Sequence, residues 1–203
     1  MITEKDTIKC EAIYNDDKTH RLYWKRVWSK DKPLACVVML NPCISDTIIS
    51  DMTTELVIKN IAKLEEYGGV IIVNLFSILT SKLDMRWARD IDLNDYENDT
   101  YIRKAAGESS VVILAWGKAG ENNVRIANRA EQVIDILKPY EEKLKVITDG
   151  ERIGLHPLFP AVRSYWELID AHEWINTKSD TVNNTKNSNN EVLPTTNEAD
   201  NDK

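Results

Sequence analysis

The sequence of 203 residues predicts an α/β fold with a mainly parallel sheet. Four short runs are apolar almost throughout, which is typical of strands covered on both faces. These runs are LACVVML (34–40), VIIVNLF (70–76), VVILAW (111–116) and LKVIT (144–148). Segments with helical spacing of apolar residues lie between them. A repeated strand–helix–strand order favours parallel strands joined by right-handed crossovers.

Ahead of the first buried strand, two segments predict an antiparallel β-hairpin. IKCEAIYN (8–15) and RLYWKRVWS (21–29) flank the polar turn DDKTH. Strand-forming residues on both sides of a short polar turn are typical of this motif. We expect Trp24 and Trp28 to pack against the sheet.

Four helices are predicted along the rest of the chain. The first begins near SDMTTE and ends at Gly68-Gly69, the second spans about 94–106, the third lies around 124–137, and the last spans 161 to about 171. Helical spacing of apolar residues predicts the buried faces of the first and third helices. Those faces comprise Val57, Ile61 and Leu64 in the first, and Val124, Ala127, Ile134 and Leu137, interrupted by Glu131, in the third.

Composition predicts one domain over residues 1–175, since a chain of this length can bury a sizeable core. From residue 176 the sequence is acidic, rich in Asn and Thr, and nearly without large apolar residues. Such a segment cannot offset its ordering entropy, so we expect 176–203 to be a disordered tail. The formal charge of −7 argues against strong nonspecific affinity for nucleic acid, which needs a basic face.

Several function classes have no support in the sequence. No apolar run approaches the roughly 18 residues of a membrane span, and MITEKDTIKC lacks the basic-then-apolar build of a signal peptide, so we expect a cytoplasmic protein without membrane contact. The three cysteines have no paired spacing, which predicts reduced thiols. The three histidines are dispersed, so we expect no metal site. GKAG lacks the spacing of a phosphate loop, and we expect no cofactor.

Unusual polar and turn residues follow each of the four buried strands. They are Asn41-Pro42, Asn74, Trp116-Gly117, and Asp149-Gly150 with His156. Ligands of parallel sheets bind at the carboxyl ends of the strands, so these residues predict a crevice at those strand ends. His156 precedes Pro157, and a proline fixes its own backbone and holds the preceding residue extended.

Individually, these residues also have structural interpretations. The alternative for Asn74 is that it satisfies a buried backbone group, and the alternative for Phe76 is that it is a core residue at a strand end. Asp46 and Asp51 could bind a hard cation, but a loop with a helix cap is favoured. Cys43 could be a nucleophile, although a small residue filling a tight turn is the simpler interpretation.

The order of motifs along the chain carries a family resemblance. HRLYWKRVW, VVMLNPCISD, DMTTE, YGGVIIVNLFS, VVILAWGKAG and TDGERIGLHPLFP follow one another over about residues 20–160. This order resembles a bacterial and phage family of domains of unknown function. More distantly, it is similar to the uracil-DNA glycosylase superfamily. That resemblance implies a three-layer α/β/α fold around a short four-stranded parallel sheet.

The glycosylase resemblance also implies roles for individual residues. Asn41, Pro42 and Cys43 would form the loop that holds the water-activating group or contacts the base, with Asp46 as a carboxylate several residues further on. Asn74 would read the base edge. His156 would stabilise the negative charge on the departing base. Three further residues are expected to contact the substrate, with Phe76 stacking on a flipped base: Phe76, Trp116 and Gly117.

We therefore expect a glycosylase-like hydrolase that acts on a nucleobase in DNA or on a nucleotide. The alternative is a non-catalytic module that binds a nucleotide, a modified base or a partner protein. A third hypothesis is a DNA-mimicking or host-interaction protein that uses the acidic charge and the tail. Fold similarity alone does not decide among them.

Overall fold

Seven strands form a single mixed sheet in the computed structural model, which describes residues 1–44, 47–86, 88–121 and 123–177. The strand order across the sheet is β1-β2-β4-β3-β5-β6-β7. The strands are β1 (Lys9–Tyr14), β2 (Arg21–Val27), β3 (Leu34–Met39), β4 (Gly69–Asn74), β5 (Val111–Leu114), β6 (Leu144–Thr148) and β7 (Glu167–Asp170). The chain thus has the α/β class that its sequence predicts.

The four apolar runs form the parallel centre of this sheet. β4, β3, β5 and β6 are neighbours in that order and pair in parallel. Met39 lies opposite Asn74, so β3 and β4 end side by side. Every residue of β4 and of β5 is buried, because both faces of these strands are covered. The predicted strands and their direction are confirmed.

The prediction of a four-stranded sheet is wrong in size, because antiparallel strands extend both edges. The predicted hairpin forms from β1 and β2, and β2 pairs antiparallel with β4. At the other edge β7 pairs antiparallel with β6. Trp24 is buried, and the indole N–H of Trp28 donates to the Tyr67 carbonyl. Both tryptophans therefore pack as expected.

The predicted helix over 161–171 is also wrong. A short 3-10 turn, Pro160–Val162, leads instead into β7. Val162 and Trp166 are both buried, and their four-residue spacing imitates a helical stripe. The competing structure is an edge strand whose pairing with β6 is not local in sequence, so spacing alone could not indicate it.

Helices cover both faces of the sheet. They are α1 (Met52–Lys63), α2 (Asp90–Leu93), α3 (Asn98–Glu108) and α4 (Val124–Leu137), and a further helical segment spans 172–177. α3 and α4 pack on the face that carries Cys36 and Val73. α1 and the 155–166 segment pack on the face that carries Val37 and Ile72.

The third predicted helix exists, but its buried stripe differs from the predicted one. α4 buries four apolar residues, Ile126, Ala130, Val133 and Leu137. Val124 is 57% exposed. The helix carries two apolar series at helical spacing, and the sequence pattern does not say which series faces the sheet. The stripe predicted for α1 agrees with the structure at Val57 and Ile61.

The described part of the chain contains no helix long and apolar enough to cross a membrane. Residues 9–170 contribute strands to one sheet. Most of the tail predicted from residue 176, that is 178–203, lies outside the described residues.

Candidate functional site

The parallel centre of the sheet contains a topological switch point. From β3 the chain crosses to β4 on one side, and later returns to place β5 on the other side of β3. Crossovers that leave in opposite directions open a gap at the carboxyl ends of the two central strands, where ligands of such sheets bind. The residues beside this gap are Cys43 after β3, Asp51 before α1, Gly117 after β5, and His156 after β6. We refer to this region as the strand-end crevice.

His156 is held in a tight turn by its own segment. Its ring Nδ1 accepts a hydrogen bond from the backbone N–H of Leu158 at 3.1 Å. Its carbonyl accepts from the N–H of Phe159 at 2.8 Å. Because Nδ1 is the acceptor, the proton of the neutral ring is on Nε2. His156 is thus a fixed N–H donor.

Burial reinforces the neutral state of this imidazole. The ring is half-buried, and desolvation lowers the pKa of His156 below the ordinary value of a histidine. The negative charge of Asp51 acts in the opposite direction and raises this pKa, but burial is the larger cause. At neutral pH the ring therefore donates through Nε2 without carrying a charge.

Gly117 brings the turn after β5 against His156. A Cβ on Gly117 would lie 2.8 Å from the Cβ of His156 and 3.3 Å from its backbone nitrogen. Gly117 also has a φ of 64°, which favours glycine. Gly117 and His156, both expected at the same end of the sheet, therefore lie side by side.

Asp51 acts electrostatically on His156, and the same carboxylate acts on two further ionisable groups, Arg21 and Cys43. Arg21, at the start of β2, is only 2% exposed, and burial lowers its pKa while Asp51 opposes this. Burial and the charge of Asp51 raise the pKa of the Cys43 thiol, and Arg21 counteracts them. The Cys43 thiol is therefore protonated at neutral pH, which does not favour a nucleophilic role.

Asp51 is the N-cap of α1. Its Oδ1 accepts from the N–H groups of Thr53 and Thr54 at 2.9 and 3.1 Å, and its Oδ2 accepts from the Thr54 hydroxyl at 2.8 Å. The favoured interpretation of SDMTTE as a cap is confirmed. The same carboxylate acts electrostatically on Arg21, Cys43 and His156.

Asn74 closes β4 beside the end of β3. The alternation of side chains along β4 places it on the face of Val70 and Ile72, which is the face that α1 covers. It is 1% exposed, and its Nδ2 has no hydrogen-bond partner among the described residues. A buried amide donor without a partner costs free energy unless a ligand satisfies it.

Asn41 and Pro42 join the loop after β3 to the loop after β4. The side-chain Nδ2 of Asn41 donates to the Thr80 carbonyl at 2.8 Å and to the Pro42 carbonyl at 3.2 Å. The N–H of Thr80 donates back to the Pro42 carbonyl. The amide of Asn41 is thus engaged in holding the loop. Asp46, the predicted catalytic carboxylate, lies outside the described residues.

Phe76 and Trp116, expected to contact substrate, belong to the core on the α3 and α4 face. Trp116 is 4% exposed and packs on Trp174 with ring centroids 5.5 Å apart. These positions do not bring either ring to His156 in the way the resemblance implies. Asp149 accepts from the guanidinium of Arg152, which stabilises the loop after β6.

Sequence analysis missed Arg21 as a site residue. A lone arginine at the start of a predicted edge hairpin gives no sign that it will be buried. Arg21 is buried because β2 pairs with β4 as well as with its hairpin partner β1. Asp51 was identified only as a cap.

A metal-binding cluster is not found in the parts of the chain that the structure describes, where no three His, Cys, Asp or Glu side chains are grouped for one. Neither the curated proteins nor the solved structures include a match for this chain. One family model does match, over residues 21–158, which is more than half of the 203 residues. The range agrees with the predicted resemblance over about 20–160. The chain therefore belongs to the family described as "Protein of unknown function (DUF1643)".

Proposed function

We propose that the chain is a glycosylase-like hydrolase that acts on a nucleobase in DNA or on a nucleotide, with the strand-end crevice as its active site. The observation that carries this proposal is the hydrogen bond from the Leu158 N–H to Nδ1 of His156. This hydrogen bond leaves a neutral, immobile Nε2–H donor at the carboxyl ends of the central strands. The proposed reaction needs such a donor.

Hydrolysis of a glycosidic bond joins water oxygen to the sugar carbon and releases the base with the bonding electron pair. Negative charge develops on an oxygen of the departing base, which finally takes up a proton. A preorganised donor stabilises this charge without reorganising, and a donor of this kind is worth about 10²–10³ in rate. In this proposal His156 supplies that hydrogen bond through Nε2.

Asn74 supports a nucleobase as the ligand. A side-chain amide offers a donor and an acceptor side by side, which suits the mixed edge of a base. The buried Nδ2 of Asn74 has no partner among the described residues. A base carbonyl bound there would satisfy it. Asn74 would then select the base, while His156 stabilises its departure.

The sequence resemblance adds further support. The motifs around Asn41, Asn74 and His156 are similar in order to those of the uracil-DNA glycosylase superfamily. The four central strands pair in parallel, as that resemblance implies for a three-layer fold. A cytoplasmic location is part of the same proposal.

The second candidate is a binding module that holds a nucleotide, a modified base or a partner protein without chemistry. The hydrogen bonding of Asp51 favours the binding module, because this carboxylate already accepts three hydrogen bonds from the first turn of α1. An acid engaged in this way is a poor base for activating water. Asn41 is engaged as well, through its Nδ2.

The deciding experiment measures free base released from single- and double-stranded oligonucleotides that carry uracil, mismatched or modified bases. Free nucleotides are assayed in parallel. We expect His156→Ala to reduce release by about 10²-fold or more, and His156→Gln, which retains an N–H donor, to lose less. The control is His172→Ala, since His172 is exposed and belongs to the helical segment at 172–177.

The outcomes separate the two candidates. Release that His156→Ala abolishes and His172→Ala preserves establishes the hydrolase. Release that survives His156→Ala removes this residue from the mechanism. If every substrate stays intact, the hydrolase proposal is overturned. Saturable binding of a nucleotide without product would then favour the binding module.

A further inference from the structure

A second cavity lies on the opposite side of the sheet from α1, between the α2–α3 connection and α4. Its volume is about 440 Å³, within the range of small-molecule sites. Phe76, Tyr96, Asn128 and Gln132 line it. We refer to it as the α4 pocket. His156 and Asn74 do not line it.

The lining offers a flat apolar surface and amide groups. Phe76 is 5% exposed and belongs to the core, so it closes the floor of the pocket and leaves little ring surface for stacking. Tyr96, by contrast, is 89% exposed. Asn128 and Gln132 are exposed amides one helical turn apart on α4. An aromatic surface beside amide donors and acceptors suits a planar, hydrogen-bonding ring such as a nucleobase.

Both guanidinium groups of the pocket are paired with carboxylates, and a third carboxylate, Asp95, also lines it. Arg125 pairs with Asp90, and Arg129 pairs with Asp99. The Nε of Arg129 also donates to the Leu75 carbonyl at 2.7 Å. Because both guanidinium groups are already engaged with carboxylates, the pocket favours an uncharged ring over a phosphate.

The α4 pocket adjoins the end of β4, where the strand-end crevice also lies. Phe76 is only two residues beyond Asn74, a separation of at most about 7 Å along the backbone. Asn98, buried in α3, donates through Nδ2 to the carbonyls of Asn74 at 3.1 Å and Leu75 at 3.3 Å. The connection between the two sites is therefore short and rigid.

We propose that the α4 pocket binds a second nucleobase, next to the one held in the strand-end crevice. The substrate class is then a single-stranded oligonucleotide and not a free nucleotide. This inference rests on the proposed function for the choice of ligand. Two bases on either side of the β4 end require an unpaired strand, since a base inside a duplex remains stacked and paired.

The test measures binding in the His156→Ala background, in which base release is expected to be slower by about 10²-fold or more. The probes are single-base tetradeoxynucleotides of adenine, cytosine and thymine with a fluorescent label, and the corresponding mononucleotides. The pocket is altered by Asn128→Ala with Gln132→Ala, both at exposed positions, and separately by Tyr96→Leu, which removes the exposed ring of the pocket. The matched control is Asn176→Ala, an exposed amide outside the pocket.

We expect the double amide variant to weaken tetranucleotide binding by about tenfold, as the loss of two hydrogen bonds predicts. Tyr96→Leu should weaken it at least as much through lost stacking. Mononucleotide binding and the Asn176→Ala variant should be unchanged. A thermal unfolding scan of each variant verifies that it is folded.

The proposed function and this inference fail in different ways. Equal weakening of tetranucleotide and mononucleotide, unchanged tetranucleotide binding, or no binding at all would each overturn the second base site. Base release by the unaltered protein, with pocket variants that bind normally, would leave the hydrolase standing and remove the pocket. Pocket-dependent binding of the tetranucleotide without base release would support the second base site and overturn the hydrolase.

Discussion

Gly117 and His156 approach so closely that a Cβ on Gly117 would lie 2.8 Å from the Cβ of His156. Two strand-end turns, one after β5 and one after β6, therefore meet without space for a side chain between them. The His156 ring is further fixed by the Leu158 N–H. The crevice owes its rigidity to backbone contacts more than to side-chain packing.

The first prediction concerns Gly117→Ala. The new Cβ meets the Cβ of His156, which is bonded to the backbone and cannot rotate away, and φ is unfavourable for alanine at 64°. We expect a loss of about 2–4 kcal/mol in the free energy of unfolding, from overpacking together with backbone strain. Urea unfolding measures this loss.

Gly150→Ala is the matched control for that variant. Gly150 also has a positive φ, 91°, but a Cβ there would meet nothing within 4 Å. Its cost should be only that of the strained backbone, about 1–2 kcal/mol. Equal losses in the two variants would show that the contact with His156 contributes nothing.

A second prediction is that Asn74→Leu stabilises the free protein. The substitution removes a buried Nδ2 that has no partner among the described residues and fills a similar volume. We expect a gain of about 1 kcal/mol in the free energy of unfolding. Base release or nucleotide binding should be lost, because the amide that reads the base is gone.

Asn98→Leu is the comparison, since Asn98 is equally buried and its Oδ1 also has no partner among the described residues, but its Nδ2 donates to the Asn74, Leu75 and Asn94 oxygens. It should destabilise the protein by about 1–3 kcal/mol, as acceptors lose their donor. The opposite signs of the two changes are the measurable result. Destabilisation by Asn74→Leu would mean that the Asn74 amide is satisfied in the free protein.

Much of the fold follows from local pattern. The four parallel strands are apolar in sequence because both of their faces are buried, and the strands of the hairpin flank a recognisable polar turn. Pairing at the sheet edges is different, since β7 is a four-residue strand, Glu167–Asp170, with partly exposed residues. The spacing of Val162 and Trp166 indicated a helix there, and only contact with β6 stabilises the strand.

The constrained turn residues of the site could be predicted from the sequence, but its buried charged groups could not. Gly117 and His156 stood out because glycine and proline constrain the chain in recognisable ways. Arg21 did not, since its burial depends on where a whole hairpin docks. Phe76 and Trp116 follow strands as predicted, and both rings lie on the α3 and α4 face. Trp116 continues the alternation of β5, whereas Phe76 departs from the alternation of β4, which the sequence pattern does not show.

A third prediction concerns the pH dependence of any activity or ligand binding at the crevice. The pKa of His156 is lowered by burial, so the ring should stay neutral until the pH falls below the ordinary histidine value of 6.5. Protonation would place a proton on Nδ1, opposite the Leu158 N–H. We expect activity to be constant above about pH 6.5 and to fall through a lower midpoint.

Stability should follow the same direction. An unfolded chain takes up the histidine proton at a higher pH than the folded chain does, so acidification favours unfolding between the two pKa values. NMR titration of the His156 ring gives the folded pKa directly. A His156 midpoint at or above that of a free histidine would contradict the assigned neutral state.

The last prediction separates the two roles of Asp51 by comparing Asp51→Asn with Asp51→Ala. Asparagine caps a helix about as well as aspartate, so Asp51→Asn should leave stability nearly unchanged, while Asp51→Ala should cost about 0.5–2 kcal/mol. Both variants remove a negative charge that raises the pKa of His156 and of Cys43. The His156 midpoint should therefore move further down, and the Cys43 thiol should react with alkylating reagents at lower pH.

If Asp51→Asn leaves both titrations unchanged, the carboxylate is only a cap. If both move while stability is retained, Asp51 sets the charge of the crevice, and its effect on any activity of the protein can be measured without disturbing α1.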